Sequence, residues 1–244
     1  MPHYDRAPIA EAIIDLRVEW PSNSPEDALD SLADRVKSRF PKNEPINSIM
    51  MGFAVPQDQK DVSFSHTTTL VGRRLDSSDG KRVLQVQRAG FTYSHLPQYS
   101  DWEHFSAEAQ ELWRAFVEAA KIEVVTRAAV RVVNKIALPG TPQDLQKYTH
   151  LVPQVPAGLP ALDGPYFVQM QGNGKIDGSQ VIINSGRVQT PGIGLEFLLD
   201  FDLFVEQRFD ARSTEIWSLL KRLSDEKNSL FEACITDDFR KLIQ

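Results

Sequence analysis

Two aspartates stand two residues apart in the run Leu199-Asp200-Phe201-Asp202-Leu203. On an extended chain that spacing puts both carboxylates on one face. Paired carboxylates can hold a divalent cation or share acid–base work. They serve equally well as partners for Arg or Lys, or stand solvated, and no further ligand is fixed by spacing. A second group comprises Glu11, Asp15, Arg127, Arg131 and Asn134. Asn134 falls between Val132 and Ile136, on the apolar side of its strand. A buried amide needs partners, so Asn134 is read either as a core hydrogen bond or as a polar group in a ligand cleft.

The remaining chemistry-bearing residues give weaker patterns. His3, His66, His95, His104 and His150 show no zinc-ligand spacing and no HExxH. His66 and His95 lie on expected strands and could meet. Cys234 reads as a buried thiol rather than a nucleophile. Gly172-Asn173-Gly174 lies between strands and opens no helix, so it reads as a hairpin turn rather than a dinucleotide fingerprint. Trp102, Phe105, Trp113 and Phe116 are spaced as helix core rather than as an aromatic cage. Arg73, Arg74, Lys81 and Arg82 flank a turn and form a basic hairpin tip, the place where an acidic partner would bind if one does.

These residues need elements to hold them. Ala12, Ile14, Leu16, Val18 and Trp20 alternate with Glu11, Ile13, Asp15, Arg17 and Glu19, giving one apolar and one mostly charged face, the pattern of a half-buried strand. Ser24-Pro25 followed by Glu26-Asp27 opens a helix carrying Leu29, Leu32, Ala33, Val36 and Phe40. Strands are expected over Ile46–Pro56, Val62–Arg73, Arg82–Arg88 and Phe91–Leu96, the last two joined around Ala89-Gly90. Ser100-Asp101 caps a long helix, Trp102–Lys121. The pattern then restarts: a strand over Val124–Leu138, a short helix opened by Thr141, Pro142 and Asp144, then strands over Tyr166–Gln171, Ile176–Gln189 and Ile193–Val205. A turn or bulge is expected at Asn184-Ser185-Gly186. Helices over Thr214–Phe231 and Asp237–Ile243 close the order.

The expected fold is therefore α+β: two similar β-α-β-β-β-α halves, residues 1–122 and 123–244, fused into one compact unit. Their strands form a largely antiparallel curved sheet with the long helices on one face. The acidic face of the first strand (Glu11, Asp15, Glu19) should neighbour the basic face of the restart strand (Arg127, Arg131, Lys135) near the sheet centre.

The chain has 244 residues, 41% hydrophobic and 25% charged, which is ordinary for a folded domain and excludes disorder as the default. A single cysteine excludes an intrachain disulfide and fits a reducing, cytoplasmic setting. No stretch reaches the roughly 18 consecutive apolar residues of a membrane span. A net charge of −6 argues against gripping nucleic acid through phosphates.

The opening Pro8-Ile9-Ala10-Glu11-Ala12-Ile13-Ile14-Asp15-Leu16-Arg17 resembles that of a sporadically distributed bacterial family of unknown function. Trp102-Glu103-His104-Phe105, Arg131-x-x-Asn134 and Leu198-Leu199-Asp200-Phe201-Asp202 follow in the same order. The resemblance implies a bacterial origin, a cytosolic setting and a place in mobile or defence gene clusters, with no reaction and no catalytic residue attached.

The leading expectation is a non-catalytic binding protein, of immunity, antitoxin, regulatory or chaperone type, with a protein partner or self-association and no cofactor. The alternatives are a metal-dependent hydrolase or nucleotide-processing enzyme using Asp200, Asp202 and Glu11, and a saddle that binds nucleic acid through its sheet face.

Overall fold

The computed structural model describes residues 4–54, 63–97, 99, 101–138, 142–156, 158–159, 164–190 and 194–244. Expectations that fell on Pro56, Val62, Ser100, Thr141 and Ile193 lie outside these residues, as do the His66 side chain and His3.

Period-two alternation makes β1 (Ile9–Val18), with Ala12, Ile14 and Leu16 fully buried beneath its polar face. The first helix, α1 (Ala28–Val36), starts later than Ser24-Pro25 implies: Ala28 N–H donates to Pro25 at 3.2 Å, so the proline sits in a preceding turn. Then come β2 (Lys42–Ala54), β3 (Ser63–Asp76), β4 (Arg82–Gln87) and β5 (Gly90–His95). The β4–β5 turn is centred on Arg88-Ala89, one residue before the expected position, because Gly90 already pairs with Gln87 and Arg17. A Cβ on Gly90 would stand 2.4 Å from the Leu16 carbonyl, so only glycine permits that strand approach.

Asp101 caps α2 (Trp102–Ala120), accepting from His104 N–H at 2.8 Å, and Lys121 ends it in the left-handed region. Next are β6 (Val124–Ala137), a 3-10 turn (Pro142–Lys147), β7 (Tyr166–Asn173), β8 (Ser179–Thr190), β9 (Gly194–Val205), a short β10 (Phe209–Asp210), α3 (Glu215–Cys234) and α4 (Asp237–Ile243). β8 runs unbroken through Asn184-Ser185-Gly186, against the expected turn or bulge. The Asn184 amide and Ser185 hydroxyl bond to Asp200 and the Leu151 carbonyl, and Gly186 lets the chain pass close to the Tyr166 carbonyl.

The sheet is largely antiparallel, open, and ordered β2-β3-β4-β5-β1-β6-β9-β8-β7 with β10 beside β6. The expected meeting of β1 and β6 at its centre is observed. The two sides are unequal: four long strands flank β1, three flank β6, and a 3-10 turn occupies the place after β6 that α1 holds after β1. Strand order alone therefore does not establish a duplication. The described helices pack on one face, where Phe91, Trp113 and Phe116 meet at ring-centroid distances of 5.5–6.0 Å.

Candidate functional site

The opposite face of the sheet centre carries the charged residues. Its register is diagonal rather than directly opposed: Arg17 stands across from Arg127, Ile13 from Arg131, and Asp15 from Ala129. Sheet twist brings diagonal neighbours within reach of long side chains. Arg127 uses that reach twice, donating to Asp15 and to Asp202 at 2.9 Å each. Its guanidinium also lies 4.2 Å from the Phe204 ring centroid, a cation–π contact. Asp15 accepts further bonds from Thr92 Oγ1 (2.8 Å) and Arg17 Nε (3.0 Å).

Arg131 stands opposite Asp202 but clasps Asp200, through Nε at 2.9 Å and Nη2 at 2.7 Å. This bidentate fork is among the stronger side-chain arrangements. Asn184 Nδ2 adds a bond to Asp200 at 2.8 Å, and Gln169 donates to Asn184 in turn at 2.9 Å. Farther along β6, Lys135 pairs with Glu196 at 3.0 Å. The charge pairing foreseen between β1 and β6 thus holds for Asp15 with Arg127, while Arg131 and Lys135 turn to β9 and Glu19 pairs with Arg208.

The electrostatics follow from this packing. Hydrogen bonding to Asp200 raises the Arg131 pKa. Burial pushes the Asp202 carboxyl up, outweighing the attraction of Arg127 and Arg131. The carboxylates lie beneath and the cations reach outward. Side-chain exposure is 3% for Asp200 against 43% for Arg131, and 8% for Glu196 against 42% for Lys135. A face on an acidic protein therefore presents positive tips.

The structure brings together Asp15, Arg127, Arg131, Asp200 and Asp202. Glu11 lies on the same face near Arg131, half-buried, and makes no direct bond among the described residues. Asn134 faces the other way: its amide donates to the Leu199 carbonyl at 3.0 Å, and the residue lines a cavity on the helix side. The basic hairpin tip is largely neutralised, with Arg73 on Asp30 (2.6 Å), Arg74 on Asp76 (2.8 Å) and Arg82 on Glu108 (2.9 Å).

No family model, curated protein or solved structure matches this chain. Its chemistry is therefore argued from its own geometry.

Several enclosed charges escaped the sequence reading, and two of them stand out as sites. Glu108 on α2 receives Arg39 (2.5 Å), Arg82 (2.9 Å) and Tyr93 (2.5 Å), with His95 Nε2 at 3.2 Å. Burial alone would raise its pKa, but the bonds from His95, Tyr93 and Arg39 and the charge of Arg82 carry it well below the usual carboxylate range. The cluster ties the turn after α1 to α2, β4 and β5, and each member is occupied by another, so it reads as a structural tie. The second site is Lys227 on α3, buried in the helix layer. Both were signalled: Glu108 falls at helical spacing between Phe105 and Leu112, and Lys227 between Leu223 and Phe231, each inside an apolar stripe. Cys234 ends α3 as a buried thiol whose pKa burial pushes up to about 11, so it is a poor nucleophile at neutral pH.

Proposed function

We propose that this chain is a non-catalytic binding protein and that the open face over β1, β6 and β9 is its contact surface for a protein partner with an acidic patch. The observation that carries the reading is the layering at two of its pairs, where Asp200 and Glu196 are buried and Arg131 and Lys135 stand half-exposed above them, while Arg127 is as enclosed as its partners. Each cation is fixed by the carboxylate beneath it, so a partner meets preset donors with little ordering left to lose. A net charge of −6 disfavours a nucleic-acid backbone, whose long run of phosphates meets the field of the whole chain and not of one patch. An enzyme gains no support from Asp200 and Asp202, since guanidinium groups occupy the positions a cation would take, and no cluster of three potential metal ligands stands among the described residues.

Within this reading the chain is a bacterial, cytoplasmic protein of immunity, antitoxin, regulatory or chaperone type. Its two halves descend from one duplicated unit, and its kinship with the scattered bacterial family rests on the four motifs named above.

The test replaces Lys135 with a photo-crosslinking residue, captures the partner in extracts of the source cell, and reconstitutes the purified pair. Affinity should fall at least tenfold for Arg131→Glu and decline with salt. Equal affinity for wild type and Arg131→Glu, or tighter binding to single-stranded DNA than to any captured protein, would overturn the proposal.

A further inference from the structure

A cavity of about 220 Å³ lies on the helix side of the sheet, remote from the charged face. The N-terminal segment around Pro8, strand β6, the entry to α2 and the middle of α3 enclose it. Lys227 lines it and is only 7% exposed. Its ammonium makes no hydrogen bond or ion pair among the described residues, and it is not sealed off from the cavity. Asp225, whose charge acts on it, is already bonded to Lys221 at 2.5 Å. The two carboxylates on the cavity wall are also engaged. Asp101 caps α2 and accepts from His104 Nδ1 at 2.6 Å, while Glu232 takes Tyr4 Oη at 2.7 Å and Arg240 Nε at 3.0 Å.

A buried cation without a partner is costly, and proteins retain one where something else supplies the counter-charge. The rest of the wall indicates what that is. Trp102 and Phe231 give flat apolar surface, while Ser224, Asn134 and Tyr99 add a few polar atoms. A mostly apolar hollow with a small convergent polar set is the usual make-up of a small-molecule site. A cavity of about 150 Å³ takes up benzene, so this one has room for an aromatic ring and a short acidic arm. A phosphate dianion would need more donors than one ammonium and this wall provide.

We propose that the cavity is a binding site for a small aromatic carboxylate, its ring between Trp102 and Phe231 and its carboxylate on Lys227. The site is independent of the sheet-face contact.

The experiment is titration calorimetry on the full chain with benzoate, phenylacetate and indole-3-acetate, with Trp fluorescence as a second readout. Phenylacetamide serves as the neutral isostere and inorganic phosphate as the competing anion. At least one of the three carboxylates should saturate one site per chain. For phenylacetate, affinity should exceed that of phenylacetamide by tenfold or more and fall by as much in Lys227→Met, whose fold is verified by circular dichroism. The acid–amide comparison on wild type stands even if that variant misfolds. Lack of saturable binding by all three acids, equal affinity for acid and amide, or displacement by phosphate at matching concentration would each overturn the assignment. Since Arg131→Glu lies on the other face, it should leave this titration unchanged.

Discussion

Replacing Lys227 with methionine should make the protein more stable, against the usual direction for a change at a buried position. An ordinary lysine titrates near 10.5, and burial brings Lys227 down to about 8, with only partial relief from Asp225. The gap of about 2.5 pH units, at ~1.4 kcal/mol per unit, corresponds to a cost of about 3 kcal/mol for keeping the charge in the folded chain. Below about pH 8 folded and unfolded chains both hold the proton, so the whole cost is present. Between about 8 and 10.5 the folded chain releases it while the unfolded chain keeps it, and the stability of the wild type rises with pH relative to a variant lacking the group. Methionine keeps much of the side chain's length without the charge, so Lys227→Met should gain about 2–4 kcal/mol at about pH 7. The gain should shrink towards the packing difference alone by about pH 10. Urea melts of both proteins at the two pH values, extrapolated linearly to water, measure this, and groups common to both cancel in the difference. A variant that is less stable at about pH 7, or a gap that does not change with pH, would refute the reasoning.

Other perturbations separate the structural ion pairs from the rest. Glu108→Gln should cost about 1–3 kcal/mol at neutral pH, since Arg82 loses its carboxylate partner while Arg39 keeps Glu111. Because the folded-state pKa of Glu108 is depressed below 4.5, that contribution is complete above about 4.5 and disappears as pH falls, so melts of the two proteins should converge in acid. Asp200→Ala should cost about 1–3 kcal/mol, chiefly by leaving the buried Asn184 amide without its acceptor while the half-exposed Arg131 turns to water, whereas Arg131→Lys should cost less, a lysine keeping the charge but not the fork; thermal melts rank them. Gly90→Ala should lose about 1–3 kcal/mol or more, since its Cβ would collide with the Leu16 carbonyl, and an unchanged melting temperature would contradict the strand approach described. Magnesium, calcium and manganese should leave the melting temperature unaltered, because Arg127 and Arg131 already occupy Asp202 and Asp200.

Sequence periodicity was enough to place β1, β6 and β9, because the apolar face of each is nearly continuous at period two and is the face found buried, despite interruptions such as Ile13, Asn134 and Leu198. It located α2 through its stripe and its Asp101 cap. It went astray where tertiary contacts overrode local composition. Asn184-Ser185-Gly186 has the make-up of a turn but is held extended by Asp200, Leu151 and the approach of Tyr166. Ser24-Pro25 has the make-up of a helix start but forms a turn one step earlier. The site was legible as a set of residues and not as a set of pairs. Knowing that acidic β1 meets basic β6 does not give the diagonal register that sends Arg131 to Asp200, which depends on twist and on β9. Glu108 and Lys227 were overlooked because the stripes were read for their apolar members, and the charged residues inside them passed as surface.

Those two residues and Arg131 represent three outcomes of burying charge, and the difference between them is what points to function. Glu108 is surrounded by donors and ties the turn after α1 to α2, β4 and β5, so its removal harms the fold. Arg131 lies over a buried carboxylate and remains half-exposed, so it serves the fold from below and can meet a partner from above. Lys227 is more deeply buried than Glu108 and, among the described residues, has no such partners. A fold selected only for stability would replace it with leucine or methionine, which the surrounding stripe of α3 already supplies at Leu220, Leu223 and Leu230. Its retention beside an aromatic-walled cavity of ligand size is accounted for when an anion completes the pair, and the stability lost by the empty chain is then recovered on binding.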